Sequence, residues 1–230
     1  MKLFATPQTR DEYLATQIER SESKFNYCKV SVHDVRKYRE LIGRETQRTP
    51  AVAGGPILCL GTRNGREVDI FRMEWHGSAW LSAATRQLEA SSPSFHCRVP
   101  WLESIGRSDL ATLQPTSVLG VELNPRAERR DVWIGSFDQM PATWAGAFSI
   151  VYSNAFDQSQ DPVRTAAEWK RVIRPGGFLI FCFTNGVEPT VSDRVGGLTL
   201  PDVQQLFGGR LVVFHDRGSR NNYSEVILQL

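Results

Sequence analysis

The stretch Pro56-Ile57-Leu58-Cys59-Leu60-Gly61-Thr62-Arg63-Asn64-Gly65-Arg66-Glu67-Val68 limits the fold more than any other part of the chain. An apolar run of strand length breaks at Gly61, passes through a Gly-x-x-x-Gly turn and resumes with a helical pattern. Such a run bounded by glycines suits a buried parallel strand, and a strand that turns straight into a helix aims backbone N–H groups at a ligand. Many α/β proteins carry this turn and bind nothing there. The loop alone therefore leaves a nucleotide-type ligand and a structural turn both open.

The rest of the chain repeats the theme. Strand-type segments recur at 57–61, 118–122, 132–135, 148–153, 178–183, 211–216 and 223–230, with helical patterns at 66 to about 73 and at 161–173. This alternation predicts a mostly parallel sheet covered by helices. The second helix carries Ala166, Ala167, Trp169 and Ile173 and is expected to stop at Arg174-Pro175-Gly176-Gly177, where proline cannot continue it and glycines permit a tight reversal. Only the Gly-, Ser- and Asn-containing loop 217–222 separates the last two strands. That is hairpin length, so the sheet should close on an antiparallel pair.

Residues 1–50 read as helices without strands, an amphipathic cap on a domain spanning 51–230. Tyr13, Leu14 and Ile18 can share one helical face. Val35, Tyr38, Leu41 and Ile42 repeat at helical spacing after a Ser31/Asp34 start signal, with Gly43 as the expected stop. More than fifty residues separate Gly65 from Val118, far more than one crossover helix needs. A helical insertion at about 74–115, with helices at 79–90 and 101–113, is expected there, either as packing on the sheet edge or as a lid or substrate wall.

Composition narrows the class. With 230 residues, 41% of them hydrophobic, the chain can bury one large core. A net charge of +2 does not indicate a nucleic-acid or acidic-membrane partner. Arg126, Arg129 and Arg130 alternate with Glu128 and Asp131 and read as a solvated face. No run approaches a membrane span, and charges interrupt the first twenty residues too often for a signal-peptide core. Cys28, Cys59, Cys97 and Cys182 lack metal-ligand spacing, and Cys59 and Cys182 lie in apolar runs. Reduced core thiols in a cytoplasmic protein, without a metal site, are the expectation.

Ligands of open α/β sheets bind at the carboxyl ends of the strands. Four successive ends here carry Gly61, Glu122-Leu123, Gly135-Ser136-Phe137 and Ser153-Asn154 with Asp157 just beyond. A carboxylate such as Glu122 can accept both hydroxyls of a ribose. A nicotinamide-binding domain would share these parts, but Arg63 and Asn64 break the Gly-x-Gly-x-x-Gly spacing it needs.

Phe148-Ser149-Ile150-Val151-Tyr152-Ser153-Asn154, followed by Glu168-Trp169-Lys170-Arg171-Val172-Ile173-Arg174-Pro175-Gly176-Gly177-Phe178-Leu179-Ile180, adds the most specific piece. Over roughly residues 55–185 the chain resembles the class I S-adenosylmethionine-dependent methyltransferases, particularly the branch called methyltransferase type 11. The resemblance implies an α/β, Rossmann-like, seven-stranded, mostly parallel sheet with helices on both faces and an antiparallel C-terminal hairpin. It implies S-adenosyl-L-methionine as cofactor and an acceptor that the sequence does not identify, a small molecule being favoured. By the same resemblance Gly61, Thr62, Arg63 and Gly65 wrap the methionine part of the cofactor. Glu122 holds the ribose hydroxyls and Leu123 lies against the adenine. Ser136 and Phe137 meet its edge and face, and Ser153 and Asn154 approach the end that carries the transferred methyl.

The glycine loop is a variant. Where the family pattern has an acid and three glycines, this chain has Cys59, Gly61, Arg63 and Gly65. Cys59 removes a negative charge that would face the cofactor's ammonium, Arg63 can crowd the cofactor or pair with its carboxylate, and Ser136 stands where an aspartate is usual. Two readings follow: an active methyltransferase with a variant loop, or a non-catalytic module that keeps the fold for cofactor sensing or protein interaction. For catalysis the candidates are Asp157, three residues past Asn154, and His76, in the insertion beside Trp75. By the same resemblance Tyr38 and Arg39 on the cap could close over the cofactor, although helix packing accounts for Tyr38 at least as well, whereas His215 reads as structural.

Overall fold

The computed structural model describes residues 1–6, 8–48, 55–76, 113, 117–216 and 223–230. In chain order the elements are β1 (Lys2–Leu3), α1 (Arg10–Ser23), α2 (Val32–Arg48), β2 (Ile57–Leu60), α3 (Arg66–His76), β3 (Val118–Glu122), β4 (Val132–Ile134), β5 (Phe148–Ser153), α4 (Pro162–Val172), β6 (Ile173–Thr184), β7 (Val195–Gly196), α5 (Leu200–Phe207), β8 (Arg210–Asp216) and β9 (Tyr223–Gln229). Short 3-10 turns occupy Pro125–Ala127, Ala142–Trp144 and Phe156–Gln158. The helices expected at 79–90 and 101–113 lie, apart from Leu113, outside the described residues, as does the loop 217–222.

Seven strands form one sheet in the order β4-β3-β2-β5-β6-β9-β8. The pairs from β4 across to β6 are parallel, and β6-β9-β8 is antiparallel, as the hairpin-length loop predicts. Register places the functional edge: Leu60 stands opposite Val121 and Ser153, and Glu122 opposite Ile134. Gly61, Leu123, Gly135 and Asn154 therefore leave the sheet along one border.

Both faces of the sheet are covered. Leu58 and Leu60 point into a layer with Trp144, Phe156, Trp169, Phe181 and Phe207, while Ile57 and Cys59 point the opposite way, toward Val35, Tyr38, Phe71 and Tyr152. This is the period-two alternation of a strand buried on both faces. Trp169 is fully buried and meets Phe137, Phe156 and Phe181 edge-on. Truncating it to alanine would cost about 3–5 kcal/mol. Cys59 and Cys182 are buried core thiols, as expected.

The cap differs from the sequence expectation in three ways. Thr9 and Glu12 form a capping box that starts α1, whose buried residues are Tyr13, Gln17 and Ser21. Leu14 is only half-buried and Ile18 is 36% exposed, so a polar stripe at four-residue spacing, not the apolar one, faces inward. Ser31 and Asp34 cap each other as the sequence suggests, but α2 runs through Gly43 to Arg48. One exposed glycine costs a helix only about 1 kcal/mol, too little to stop it. Lys2 and Leu3 pair antiparallel with Gly196 and Val195, a strand in a region expected to be purely helical.

Two further corrections concern the sheet's surroundings. The turn expected at 174–177 is part of β6: Gly176 N–H donates to Leu230 O at 2.6 Å and Leu230 N–H to Gly177 O at 2.9 Å. Pairing to the C-terminus outweighs the turn tendency of Pro-Gly-Gly. The basic cluster is not wholly a solvated face, because Asp131 is completely buried. Arg129 reaches Asp131 and Asp69, both at 2.6 Å, and Arg72 reaches Asp131 at 2.5 Å. Burial pushes the Asp131 carboxyl up, and the two guanidinium groups outweigh it, holding the carboxyl below its ordinary range. The network ties α3 to the strand edge beside the glycine loop.

Candidate functional site

The 61–65 loop is held by the neighbouring strand. Gly61 and Thr62 N–H both donate to Val121 O, at 2.9 and 3.2 Å, and Gly65 N–H closes the turn on Thr62 O at 2.9 Å. Gly61 and Gly65 have φ of +73° and +76°, and Arg63, at +51°, is the one non-glycine with positive φ among the described residues. A side chain at Gly61 would put its Cβ 2.7 Å from the Cβ of Ala155, so no other residue fits there unstrained. The left-handed backbone costs Arg63 about 1–2 kcal/mol. A charge-assisted bond from Arg63 N–H to Glu122 Oε2 at 2.7 Å offsets that cost and joins the loop to the end of β3. The Arg63 guanidinium turns outward, 4.8 Å from the Tyr27 ring centroid and 3.5 Å from Tyr27 O. It lies on the cap rather than across the floor of the cleft.

A small cleft opens above these strand ends, with Gly61, Glu122, Leu123 and Phe137 on the sheet side and Gln17, Arg20 and Ser21 of α1 opposite. Glu122 is 5% exposed. Besides Arg63 N–H it accepts from Ser21 Oγ at 2.9 Å and Asn124 N–H at 3.1 Å. A carboxylate offers about four acceptor positions, so three are taken and one remains. Phe137 is buried edge-on against Trp169, with its ring at the cleft wall. Ser136 Oγ accepts from Asp138 N–H at 3.2 Å and so caps its own turn.

Beside this cleft, toward the ends of β2 and β5, the sheet border is acidic. Ser153 Oγ donates to Leu60 O at 3.3 Å and accepts from Ala155 N–H at 3.1 Å, so its hydroxyl is engaged within the fold. Asn154 Nδ2 donates to Glu67 Oε1 at 3.2 Å. Glu67 is 3% exposed, and burial pushes its carboxyl up to about 8, against the pull of Arg63. Asp157, in the Phe156–Gln158 turn, feels the charge of Asp193, whose carboxylate is 2.6 Å from Arg20. Burial first, and then the Asp193 charge, push the Asp157 carboxyl above its ordinary range. Around the site, Gln17 Oε1, Arg20 Nε, Thr62 Oγ1, Asp157 Oδ1 and Asp193 Oδ1 are buried without a hydrogen-bond partner among the described residues.

Of the residues singled out from sequence, the sheet border gathers Gly61, Thr62, Arg63, Gly65, Glu122, Leu123, Ser136, Phe137, Ser153, Asn154 and Asp157. His76 is separated from them. Helix α3 starts at the glycine loop and runs away from it, so His76 is about 15 Å along the axis from Arg66. One turn earlier, Arg72 already reaches Val118 O at the opposite border of the sheet. Tyr38 and Arg39 do not close over the cleft either: Tyr38 donates to Glu225 and Arg39 to the Glu74 carbonyl. The closing residues are Gln17, Arg20 and Ser21, whose polar i, i+4 repeat was the available signal. Glu67 and Asp193 also escaped the sequence reading. His215 lies in β8 beside Lys37, 3.2 Å from its Nζ, consistent with a structural role.

No protein-family model matches the chain, and no curated protein matches it in sequence. Solved structures do resemble it. The 1,6-didemethyltoxoflavin-N1-methyltransferase of Burkholderia thailandensis, solved with 1,6-didemethyltoxoflavin and S-adenosylhomocysteine, is 14% identical with a TM-score of 0.54, over 99% of this chain and 93% of that one. The [4+2]-cyclase SpnF is 11% identical with a TM-score of 0.51, over 99% and 98%. The CurJ carbon methyltransferase is 10% identical with a TM-score of 0.50, over 94% of this chain and 57% of that one. Identities this low show a shared fold: the Rossmann-like sheet with its C-terminal antiparallel hairpin.

Proposed function

We propose that the chain is an S-adenosylmethionine-dependent methyltransferase with a variant glycine loop, similar to the type 11 branch, acting on a small-molecule acceptor. The observation that carries the reading is the buried Glu122 carboxylate at the end of β3, on the floor of a cleft, beside a glycine turn and the Phe137 ring. The residues present fit the cofactor. Glu122 keeps one open acceptor position and gains a second when Ser21 Oγ yields, which matches the two hydroxyls of a ribose. Leu123 and Phe137 supply apolar walls for a base. Both neighbours that are methyltransferases by name, one of them solved with S-adenosylhomocysteine, support the same reading.

Bound S-adenosylmethionine supplies an electrophilic methyl group on a sulfonium. The protein's share is alignment and exclusion of water, because in-line displacement depends more on geometry than on a dedicated residue. The 61–65 loop is assigned to the reacting end, with Asn154 leaving the neighbouring strand beside it, while α1 covers the cleft through Gln17, Arg20 and Ser21. Asp157, with one oxygen lacking a partner, is the group we assign to accept a proton from an acceptor nitrogen or hydroxyl. Its raised affinity for protons suits a base working near neutral pH. His76 has no part in this assignment. Residues 1–50 serve as the cap of a catalytic domain spanning 51–230.

Calorimetric titration with S-adenosylmethionine and S-adenosylhomocysteine tests the cofactor. Binding of both is expected, and no heat at millimolar ligand would overturn the reading. The cyclase among the neighbours shows that this fold carries other chemistry, so transfer needs its own test. Incubation with methyl-labelled cofactor and a cell extract should label an acceptor. Cofactor binding without label in any fraction would favour the non-catalytic module.

A further inference from the structure

The end of β2 lacks a charge because Cys59 stands there, fully buried. A carboxyl from a different element occupies the same neighbourhood: Glu67, in the first turn of α3, is the charged group that weighs most on the Cys59 thiol. Its Oε1 is 3.2 Å from the Asn154 amide, so it sits where the ends of β2 and β5 meet, beside the glycine loop. The backbone N–H of Lys29 also favours its charged form. Both donors are neutral. Arg63, the cation that acts on it most, is turned to Tyr27. A buried carboxylate held only by neutral donors is costly unless a cation comes to it.

We propose that Glu67 is the anchor for a ligand ammonium beside the glycine loop, where the ends of β2 and β5 meet, namely the amino group of the cofactor's amino-acid part. The inference rests on the methyltransferase reading and deepens it. The loop has moved its negative charge from the strand end to the helix, eight residues further on. Asn154 is then a positioning residue, since its amide orients the Glu67 carboxylate. A competing role exists: Glu67 could serve only to pin the 27–30 segment through Lys29.

Three ligands separate these roles in calorimetric titrations of the intact chain. S-adenosylhomocysteine carries both ammonium and carboxylate, its decarboxylated analogue keeps only the ammonium, and 5′-methylthioadenosine has neither. Glu67→Gln should weaken the first two by about 10- to 100-fold and the third by less than about twofold. Equal weakening of all three, or of none, would overturn the assignment while leaving the cofactor reading intact. A wild-type chain that binds none of them would end the cofactor reading itself, and the assignment with it. Should Glu67→Gln fail to fold by circular dichroism, Glu67→Asp keeps the charge with a shorter reach. Its losses should be smaller but confined to the two ammonium ligands, and an unselective loss would again overturn the assignment.

Discussion

At the β3–β4 end of the sheet border the working groups leave strands, whereas at the β2–β5 end they leave a helix, a turn and a cap. Glu122 and Phe137 stand where the register of the sheet puts them, and a strand end has little freedom to aim elsewhere. Glu67 comes from the first turn of α3, Asp157 from a 3-10 turn, and Arg20 and Asp193 from segments far apart in sequence. The first end is fixed by backbone pairing and the second by charges held in balance. Changes at the second end should therefore be read in pH dependence and ligand selectivity, and changes at the first in overall affinity.

The largest expected effect sharpens the contrast at the acidic end. Glu67 has a carboxyl raised from 4.5 to about 8, so the folded chain keeps a proton that the unfolded chain gives up from about pH 4.5. Stability must then fall as pH rises across that window, by a few kcal/mol at most. Urea midpoints at pH 5 and pH 8 should show Glu67→Gln gaining on the wild type as pH rises. A constant difference between the two would mean that Glu67 does not titrate this way.

Next comes the loop shared by both ends. Gly61→Ala must place a Cβ 2.7 Å from that of Ala155 on a left-handed backbone, and should lose about 2–4 kcal/mol in denaturant unfolding. An unchanged midpoint would show that the turn can relax. Arg63→Gly relieves the strained backbone but removes a guanidinium that opposes the Glu67 and Asp157 carboxyls. Stability should change by less than about 1 kcal/mol, while proton affinity at the acidic end rises, visible as an upward shift in the pH profile of ligand binding. The smallest effect belongs to Ser21→Ala, which frees an acceptor position on Glu122. It should tighten nucleoside binding a few-fold, and weaker binding would mean that Ser21 helps hold the ligand.

The same contrast explains what could be read in the sequence. The glycine loop, the strands and the acidic end of β3 were legible because two-residue alternation and strand-end position leave few alternatives. The inward face of α1 was not, since Leu14 and Ile18 suggest an apolar stripe while Tyr13, Gln17 and Ser21 form the buried one. Their hydrogen bonds to Gln158, Ser192 and Glu122 become visible only when residues more than a hundred positions away are brought together. Glu67 escaped for a related reason: by pattern it is an ordinary acid in the first turn of a helix, a favoured place for one on electrostatic grounds alone. His76 failed because a helix that begins at the site ends far from it.

The most direct test of the account is the affinity of S-adenosylhomocysteine for the wild type and for Glu122→Ala, measured by calorimetry on protein shown to be folded. The account predicts saturable one-to-one binding to the wild type and a loss of roughly 1–3 kcal/mol in the variant, as two hydroxyls lose a charged acceptor. Equal affinity in the two proteins would contradict it.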